Sequence, residues 1–342
     1  QMCIRDSGSS SQTPCSPGTW QNQTGQTGCM NASVGHYVDV NGSSSQTPCA
    51  MGTWNNMTGQ AACTPASPGH YVNTNGSIAQ TPCATGTWQN QSGQASCTNA
   101  SAGHYVDTNG STTQTPCGLG TWNNMTGQAA CTNASAGHYV DTNGSTTQTP
   151  CDAGTYNPNS SSTSSTDCLD TPAGNYSGPG ASSPTQCSPG TWQNQTGQSS
   201  CIDTDPGHYA SGFGNTNQTQ CALGTWTNQS GQSSCTPASP GHYVDTNGST
   251  TQTPCGLGTY NPNSGSSDPA DCVQASPGYY VDQEGQPSQT PCSAGSYNNI
   301  TGSTSSSDCI DAQPGYYIAY PGSTSQSPCQ LGEFQPSPGQ SA

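Results

Sequence analysis

Twenty cysteines are the residues with the most evident chemistry in this chain of 342 residues. From Cys15 onward their spacings alternate between 14 and 20 residues, which gives a period of 34. Three later short intervals are lengthened to 17, and one long interval, Cys168–Cys187, is shortened to 19. Regularly spaced cysteines in a polar chain predict disulfides that replace a hydrophobic core. The spacing therefore indicates a disulfide framework.

The aromatic residues show that the period of 34 is twice 17. A Gly-x-aromatic triplet occurs 19 times, from Gly18-Thr19-Trp20 to Gly332-Glu333-Phe334. In the Trp halves, one Cys precedes the glycine by three residues and a second follows 14 residues later. In the Tyr halves, Ala and Gln hold these two places, as Ala32 and Gln46 do. We interpret both halves as one module that carries the cross-link in alternate copies.

Because the two cysteine positions are gained or lost together, we predict that each bridge closes the shorter interval. The predicted pairs are Cys15–Cys29, Cys49–Cys63, Cys83–Cys97, Cys117–Cys131, Cys151–Cys168, Cys187–Cys201, Cys221–Cys235, Cys255–Cys272 and Cys292–Cys309. The alternative bridges the longer interval, as in Cys29–Cys49, and sequence alone leaves it open. Cys329 is expected to lack a partner. Each closed loop of roughly 15 residues should stabilise its module by about 3 kcal/mol.

Asn-x-Ser/Thr sequons are the second set of residues with chemistry, and they number 18 among 26 asparagines. They recur at fixed places in the module, which predicts dense N-glycosylation in a secreted protein. The predicted acceptors are Asn22, Asn31, Asn41, Asn56, Asn75, Asn90, Asn99, Asn109, Asn124, Asn133, Asn143, Asn159, Asn175, Asn194, Asn217, Asn228, Asn247 and Asn299. The alternative is that asparagine serves only the turns.

Catalytic and metal-binding patterns are weak. Six histidines repeat in one Gly-His-Tyr slot, a full repeat or more apart, and we predict surface residues there: His36, His70, His104, His138, His208 and His242. The segment Asp107-Thr108-Asn109-Gly110 resembles the start of a calcium loop but lacks its closing Glu. We predict a plain turn there, with weak Ca²⁺ binding to the acidic chain as the alternative. We expect no enzyme, no catalytic residue, no metal site and no cofactor.

Composition sets further limits. Hydrophobic residues make up 27% of the chain and charged residues 5%, with one basic residue, Arg5, and a net charge of -16. A chain with a single basic residue cannot neutralise a series of phosphates, so we expect no nucleic-acid partner. No apolar run approaches the roughly 18–20 residues that span a bilayer, so we expect no membrane span in this fragment.

Both ends of the sequence are atypical. Residues 1–7 fit no repeat and resemble translated sequencing-adapter sequence, so we exclude this segment, with Cys3, from the fold. Residues 8–342 are predicted to be tandem cysteine-rich repeats that are cut inside the last repeat.

The elements that must position these residues are short strands and turns. Pro-Gly or Ala-Gly predicts a turn before each aromatic residue, and Asn109-Gly110 is typical of a type I′ hairpin turn. We predict an all-β or irregular fold without helices. It is an elongated linear array of disulfide-stapled two-strand modules, with one Trp or Tyr as the main buried side chain of each.

The pattern resembles the cysteine-rich modules of tumour-necrosis-factor receptors and the related ephrin-receptor-like repeats. Cys15, Gly18, Trp20 and Cys29 stand where those modules have their first Cys, Gly, aromatic residue and second Cys. Those modules often have a second Cys at the junction, where this chain has Ala or Gln. The resemblance implies an extracellular, elongated, disulfide-bonded rod of a kind that also fills surface proteins of microbial eukaryotes. It carries over no ligand.

We therefore expect an extracellular structural glycoprotein that forms a rigid, glycan-coated rod, filament or stalk. The expected partners are copies of itself or other surface and matrix glycoproteins. The alternative is a ligand-binding or adhesive ectodomain, or a surface antigen, built from the same repeats. Near-identical repeats favour the structural function, because a ligand site normally requires one module to differ.

Overall fold

The computed structural model describes residues 13–342, together with the backbone of Cys3–Ile4. Apart from that backbone, the segment 1–7 lies outside the described residues. The described chain is a repeated array of two-stranded antiparallel sheets without an α-helix, and the predicted fold class is confirmed. Every strand is two residues long.

The strands pair in chain order, each with the next one along. The pairs are Cys3–Ile4 with Thr13–Pro14, Thr19–Trp20 with Met30–Asn31, His36–Tyr37 with Thr47–Pro48, Thr53–Trp54 with Thr64–Pro65, His70–Tyr71 with Thr81–Pro82, Thr87–Trp88 with Thr98–Asn99, His104–Tyr105 with Thr115–Pro116, Thr121–Trp122 with Thr132–Asn133, His138–Tyr139 with Thr149–Pro150, Thr155–Tyr156 with Leu169–Asp170, Asn175–Tyr176 with Thr185–Gln186, Thr191–Trp192 with Ile202–Asp203, His208–Tyr209 with Thr219–Gln220, Thr225–Trp226 with Thr236–Pro237, His242–Tyr243 with Thr253–Pro254, Thr259–Tyr260 with Val273–Gln274, Tyr279–Tyr280 with Thr290–Pro291, Ser296–Tyr297 with Ile310–Asp311, and Tyr316–Tyr317 with Ser327–Pro328.

The three lengthened cysteine intervals each contain one turn of 3₁₀-helix, at Ser165–Asp167, Pro269–Asp271 and Ser306–Asp308. Each turn begins at a Ser or Asp whose side chain accepts a backbone hydrogen bond, and an Asp at its third residue completes a capping box. The inserted residues are therefore folded locally and leave the module pairing intact.

We number the positions of a module from 1 to 17, starting at Cys15 and at each equivalent residue. Cysteine modules have Cys at positions 1 and 15, and the intervening modules, named glutamine modules, mostly have Gln at position 15. Each begins with a β-turn, as where the Thr19 amide donates to the Ser16 carbonyl (3.0 Å) and Gly18 at position 4 has φ +86°. Pro followed by a positive-φ glycine is the signature of a type II turn, so the predicted turn before each aromatic residue is confirmed.

The predicted type I′ hairpin at Asn109-Gly110 is wrong. That turn needs positive φ at both central residues, but among the described residues other than glycine, positive φ occurs only once, and not at Asn109. Nine residues join His104–Tyr105 to Thr115–Pro116. The Gly110 amide donates to the Cys83 carbonyl of the preceding module (2.7 Å). This glycine, at position 11, therefore serves contact between modules rather than closure of a hairpin.

Most of the buried apolar side chains are small, and they lie at positions 1 and 7. Cys49 and Ala66 are 0% exposed at position 1, and Val72 is 3% exposed at position 7. The Trp and Tyr side chains at position 6 are partly buried, so they are not the most completely buried side chains of their modules.

The glycine at position 4 shows this approach. The Gly86 amide donates to the Val106 carbonyl of the next module (2.7 Å). A Cβ on Gly86 would overlap the carbonyl oxygen of Gly127, at position 11 of the second module along. Each module therefore contacts both of its two successors. Because module types alternate, the second of these contacts always joins like to like, cysteine module to cysteine module and glutamine module to glutamine module.

By its internal contacts the chain divides into two compact units. One comprises Gln1–Asp152, Tyr156–Leu169 and Pro179–Ser183, and the other comprises Ala153–Thr155, Asp170–Gly178 and Pro184–Ala342. The second unit repeats the pattern of the first. The Gly207 amide donates to the Thr227 carbonyl (2.8 Å), and a Cβ on Gly207 would overlap the Gly248 carbonyl oxygen.

Candidate functional site: clasps and sequons of the modules

Among the described residues, nine disulfides close nine of the cysteine modules. The bridges join Cys15 to Cys29, Cys49 to Cys63, Cys83 to Cys97, Cys117 to Cys131, Cys151 to Cys168, Cys187 to Cys201, Cys221 to Cys235, Cys255 to Cys272 and Cys292 to Cys309. Their Cα atoms are 5.6–5.8 Å apart, and Cys329 is a free thiol. Every bridge thus spans a short interval of the sequence. Disulfides in this number are typical of a secreted protein.

The glutamine modules are closed at the same two places without a covalent bond. Gln46 at position 15 reaches back to position 2, where its Oε1 accepts from the Ser33 amide (2.7 Å) and its Nε2 donates to the Ser33 hydroxyl (3.3 Å). Ala32 at position 1 is 0% exposed, as Cys49 is in the next module. The hydrogen bond therefore closes the same interval that the disulfide closes.

This glutamine clasp recurs in eight modules, with an Oε1–N distance of 2.6–2.8 Å. The glutamines are Gln46, Gln80, Gln114, Gln148, Gln218, Gln252, Gln289 and Gln326. Sequence reasoning noticed the Ala and Gln spacing but not the function of Gln. The available signal was the recurrence of Gln at position 15. Its long side chain carries an acceptor that can reach the backbone amide of position 2.

Position 7 differs between the two module types. In glutamine modules it is mostly Val, whereas in cysteine modules it is a buried Gln, Asn or Thr. Gln21 donates from Nε2 to the Gly28 carbonyl (3.0 Å), and its Oε1 accepts from the Gln23 amide (3.1 Å). A buried polar side chain must be hydrogen-bonded to be tolerated, and here it orders the loop inside the disulfide.

The tryptophan indoles are an exception to this hydrogen-bond pairing. The Nε1 of each Trp is buried without a hydrogen-bond partner, at Trp20, Trp54, Trp88, Trp122, Trp192 and Trp226. An unpaired buried donor costs about 1–3 kcal/mol. Tyr156, Tyr260 and Tyr297 hold the same position in other cysteine modules, so the fold does not require the indole N–H.

Seventeen of the 18 sequon asparagines are exposed. Position 8 of cysteine modules carries Asn22, Asn56, Asn90, Asn124, Asn194, Asn228 and Asn299, and position 17 carries Asn31, Asn99 and Asn133. Position 10 of glutamine modules carries Asn41, Asn75, Asn109, Asn143 and Asn247. Asn159 and Asn217 are exposed in loops outside these series. Most of the predicted acceptors therefore lie on the surface, in series that recur at the same module position.

Asn175 differs from the other sequon asparagines. It lies half-buried in a strand, at the position where most other glutamine modules have His. Its Nδ2 donates to the Ala173 carbonyl (3.0 Å) and the Pro172 carbonyl (3.4 Å). The sequon hydroxyl, on Ser177, is 1% exposed. The atom that a glycan would modify is therefore engaged in local hydrogen bonds.

The six histidines occupy a structural slot. In each, Nδ1 lies 3.1–3.3 Å from the carbonyl oxygen two residues earlier, as in His36 with Val34 and His138 with Ala136. A Cβ on Gly180 would lie 3.3 Å from Cε1 of His138, so the ring fits against a glycine of the second module along. This packing is a sufficient reason for His to recur in each module, and no catalytic function is needed to explain it.

In the part of the chain that the structure describes, no three His, Cys, Asp or Glu side chains lie close enough to hold a metal ion. The described residues also include no helix with the length and hydrophobicity needed to cross a bilayer. Comparison with known protein families finds no family profile that matches the chain, and comparison with curated proteins finds no similar sequence. The resemblance to receptor cysteine-rich modules therefore stays a prediction.

Proposed function

We propose that this chain is a secreted structural glycoprotein whose modules stack into a stiff, glycan-coated rod, filament or stalk at the cell surface or in a matrix. The observation that carries the proposal is the contact of each module with both of its successors. A repeat array held by nearest neighbours alone bends at every junction. Contact with the second neighbour resists that bending, because two junctions must open together.

The alternation of clasps supports the same function. Disulfides close every second module, and hydrogen bonds from glutamine close most of the others. Since the buried side chains are small, these clasps and the backbone hydrogen bonds between modules must replace a hydrophobic core. Such an array gains length by repetition, which suits a structural element better than an enzyme. Its partners would be copies of itself or other surface glycoproteins.

The exposed sequons support a glycan coat. Because 17 acceptors project from loops and junctions, attached glycans would hydrate the polar surface. They would also cover the unpaired edges of the two-stranded sheets, which otherwise invite aggregation. Mass spectrometry of secreted protein, before and after an N-glycan-cleaving amidase, tests the coat, and an unchanged mass would contradict it.

Electron microscopy of native material tests the rod itself. A uniform fibre of constant width is the expected image. A short stalk that bears a distinct head would favour the alternative, a binding or adhesive ectodomain. One feature supports that alternative: residues 248–298 contain no sequon and include the irregular insert that ends at Pro269–Asp271. A ligand could approach this stretch without a glycan barrier.

A further inference from the structure

We propose that the N-glycan on Asn75 docks across the module junction, with its first sugar covering the side chain of Met51 in the preceding cysteine module. The inference rests on the proposed glycosylation and adds a specific binding surface for the sugar. It extends to the glycans at Asn143 and Asn247, which follow Leu119 and Leu223 by the same 24 residues. Such a glycan would be part of the junction rather than a mobile appendage.

The sequon of Asn75 is fixed to the preceding module by three hydrogen bonds. The Asn75 Oδ1 accepts from the Met51 amide (3.0 Å). The Gly76 amide donates to the Cys49 carbonyl (2.8 Å), and the Ser77 carbonyl accepts from the Asn55 amide (3.0 Å). The root of the glycan is thus held on another module before any sugar is attached.

The same bonds occur one repeat later. The Asn109 Oδ1 accepts from the Thr85 amide (3.0 Å), and the Gly110 amide donates to the Cys83 carbonyl (2.7 Å). Asn and its donor are again 24 residues apart. The bond therefore forms at two junctions and does not depend on Met at position 3.

Glycan attachment leaves this bond intact. In the transfer, the amide Nδ2 loses one proton and bonds the anomeric carbon of the first sugar, while a lipid diphosphate leaves the sugar. The Oδ1 keeps its lone pairs and still accepts from the Met51 amide. Because Nδ2 and Oδ1 share one planar amide group, the first sugar starts beside position 3 of the cysteine module.

Position 3 offers an apolar surface for that sugar. Met51 is 56% exposed, and the equivalent Leu119 and Leu223 are 50% and 49% exposed. These side chains precede Asn75, Asn143 and Asn247 by 24 residues each. A sugar ring has an apolar face of C–H groups that can cover such a side chain and remove its area from water.

Methionine oxidation provides the test, because the exposed thioether of Met51 reacts with peroxide to a sulfoxide. The full chain is secreted from a eukaryotic host as wild type and as S77A, which removes the sequon and keeps Asn75. Peptide mapping then measures sulfoxide at Met51 after a limited peroxide dose. We expect Met51 to oxidise at least about twofold faster in S77A, since exposure limits the reaction.

Three controls separate docking from simple loss of a glycan. S111A removes the glycan at Asn109, beside Thr85, and should leave Met51 oxidation unchanged. Oxidation of Met125, next to the Asn124 sequon, should change in neither variant. The variant T85M should gain a methionine that is protected in the wild-type sequon background and exposed when S111A is added.

Two results overturn the proposal, and they differ from failure of the glycan coat. If Asn75 is occupied but Met51 oxidises equally in wild type and S77A, the sugar does not cover Met51. If protection is lost when an endoglycosidase trims the glycan to one sugar, the contact is not made by the first sugar. An unoccupied Asn75, seen directly as peptide mass, would instead refute glycosylation at this site.

Discussion

Conversion of one cysteine module into a glutamine module should cost less stability than simple removal of its disulfide. The module that begins at Cys187 suits the test, because Ser188 at position 2 matches Ser33 of a natural glutamine module. In the variant C187A/C201Q, the new glutamine can accept from the Ser188 amide, as Gln46 does from Ser33. The variant C187A/C201A removes the bridge and offers no replacement.

The magnitudes follow from the two clasps. The bridge joins residues 14 apart, and its removal should cost about 3 kcal/mol. Ala at position 1 leaves little cavity, since Ala66 fills that position natively at 0% exposure. A side chain to backbone hydrogen bond returns about 1 kcal/mol. We therefore expect a loss of about 2 kcal/mol in C187A/C201Q against about 3 kcal/mol in C187A/C201A.

Native-state hydrogen exchange measures this locally. The informative amides are Gly190, which donates to the Ala210 carbonyl (2.8 Å), and Gln193, which donates to the Asn215 carbonyl (3.0 Å). They should exchange about fivefold more slowly in C187A/C201Q than in C187A/C201A, as a difference of about 1 kcal/mol requires. The Gly52 amide, bonded to the Val72 carbonyl (2.7 Å), serves as the distant control.

Two outcomes would refute this reasoning. Equal exchange in the two variants would show that the glutamine clasp contributes no stability, and the equivalence of the two module types would fail. Faster exchange at Gly52 in either variant would show that stability is shared along the chain, against the local behaviour expected of repeat proteins.

The remaining predictions concern glycine, tryptophan and metal. G86A should lower the free energy of unfolding by more than about 2 kcal/mol, because the new Cβ overlaps the Gly127 carbonyl and φ is +81°. The control G118A, whose Cβ meets nothing, should change it by less than about 0.5 kcal/mol. Denaturant unfolding of the two variants measures the difference. W122Y should lower the free energy of unfolding by less than about 1 kcal/mol, since the loss of apolar area is offset by removal of an unpaired N–H. W122A should lower it by about 3–5 kcal/mol. If W122Y is as destabilising as W122A, the indole N–H has a hydrogen-bond partner. Chelation of divalent cations should leave the thermal unfolding midpoint unchanged, and a drop on chelation would reveal a structural cation.

Much of the fold could be predicted because its signals are local and repeated 19 times. The Pro-Gly turn before Trp20, the two strands of each module and the short disulfide interval all depend on residues within one module. The turn at Asn109-Gly110 was mispredicted because its glycine serves the junction with Cys83. The burial of Ala32 rather than Trp20 was missed for the same reason, since burial depends on the neighbouring modules.

The candidate sites also combine features that the sequence predicts with features that only the structure shows. Sequon positions can be read directly as Asn-x-Ser/Thr, but the half-burial of Asn175 follows from its place in the first strand of its module, whose residues are partly buried. The bond between Asn75 and Met51 joins residues 24 apart in different modules. Nothing in either residue type indicates that pairing, and only the stacked arrangement brings the two groups within 3.0 Å.

The module length, the alternation of cysteine with glutamine modules and the phasing of the sequons follow from the amino-acid sequence alone, because each is a matter of order along the chain. Which modules touch does not follow from that order. The contact of Gly86 with Gly127 selects the second neighbour, because a residue without a side chain lets two backbones meet there. That contact sets like modules on like.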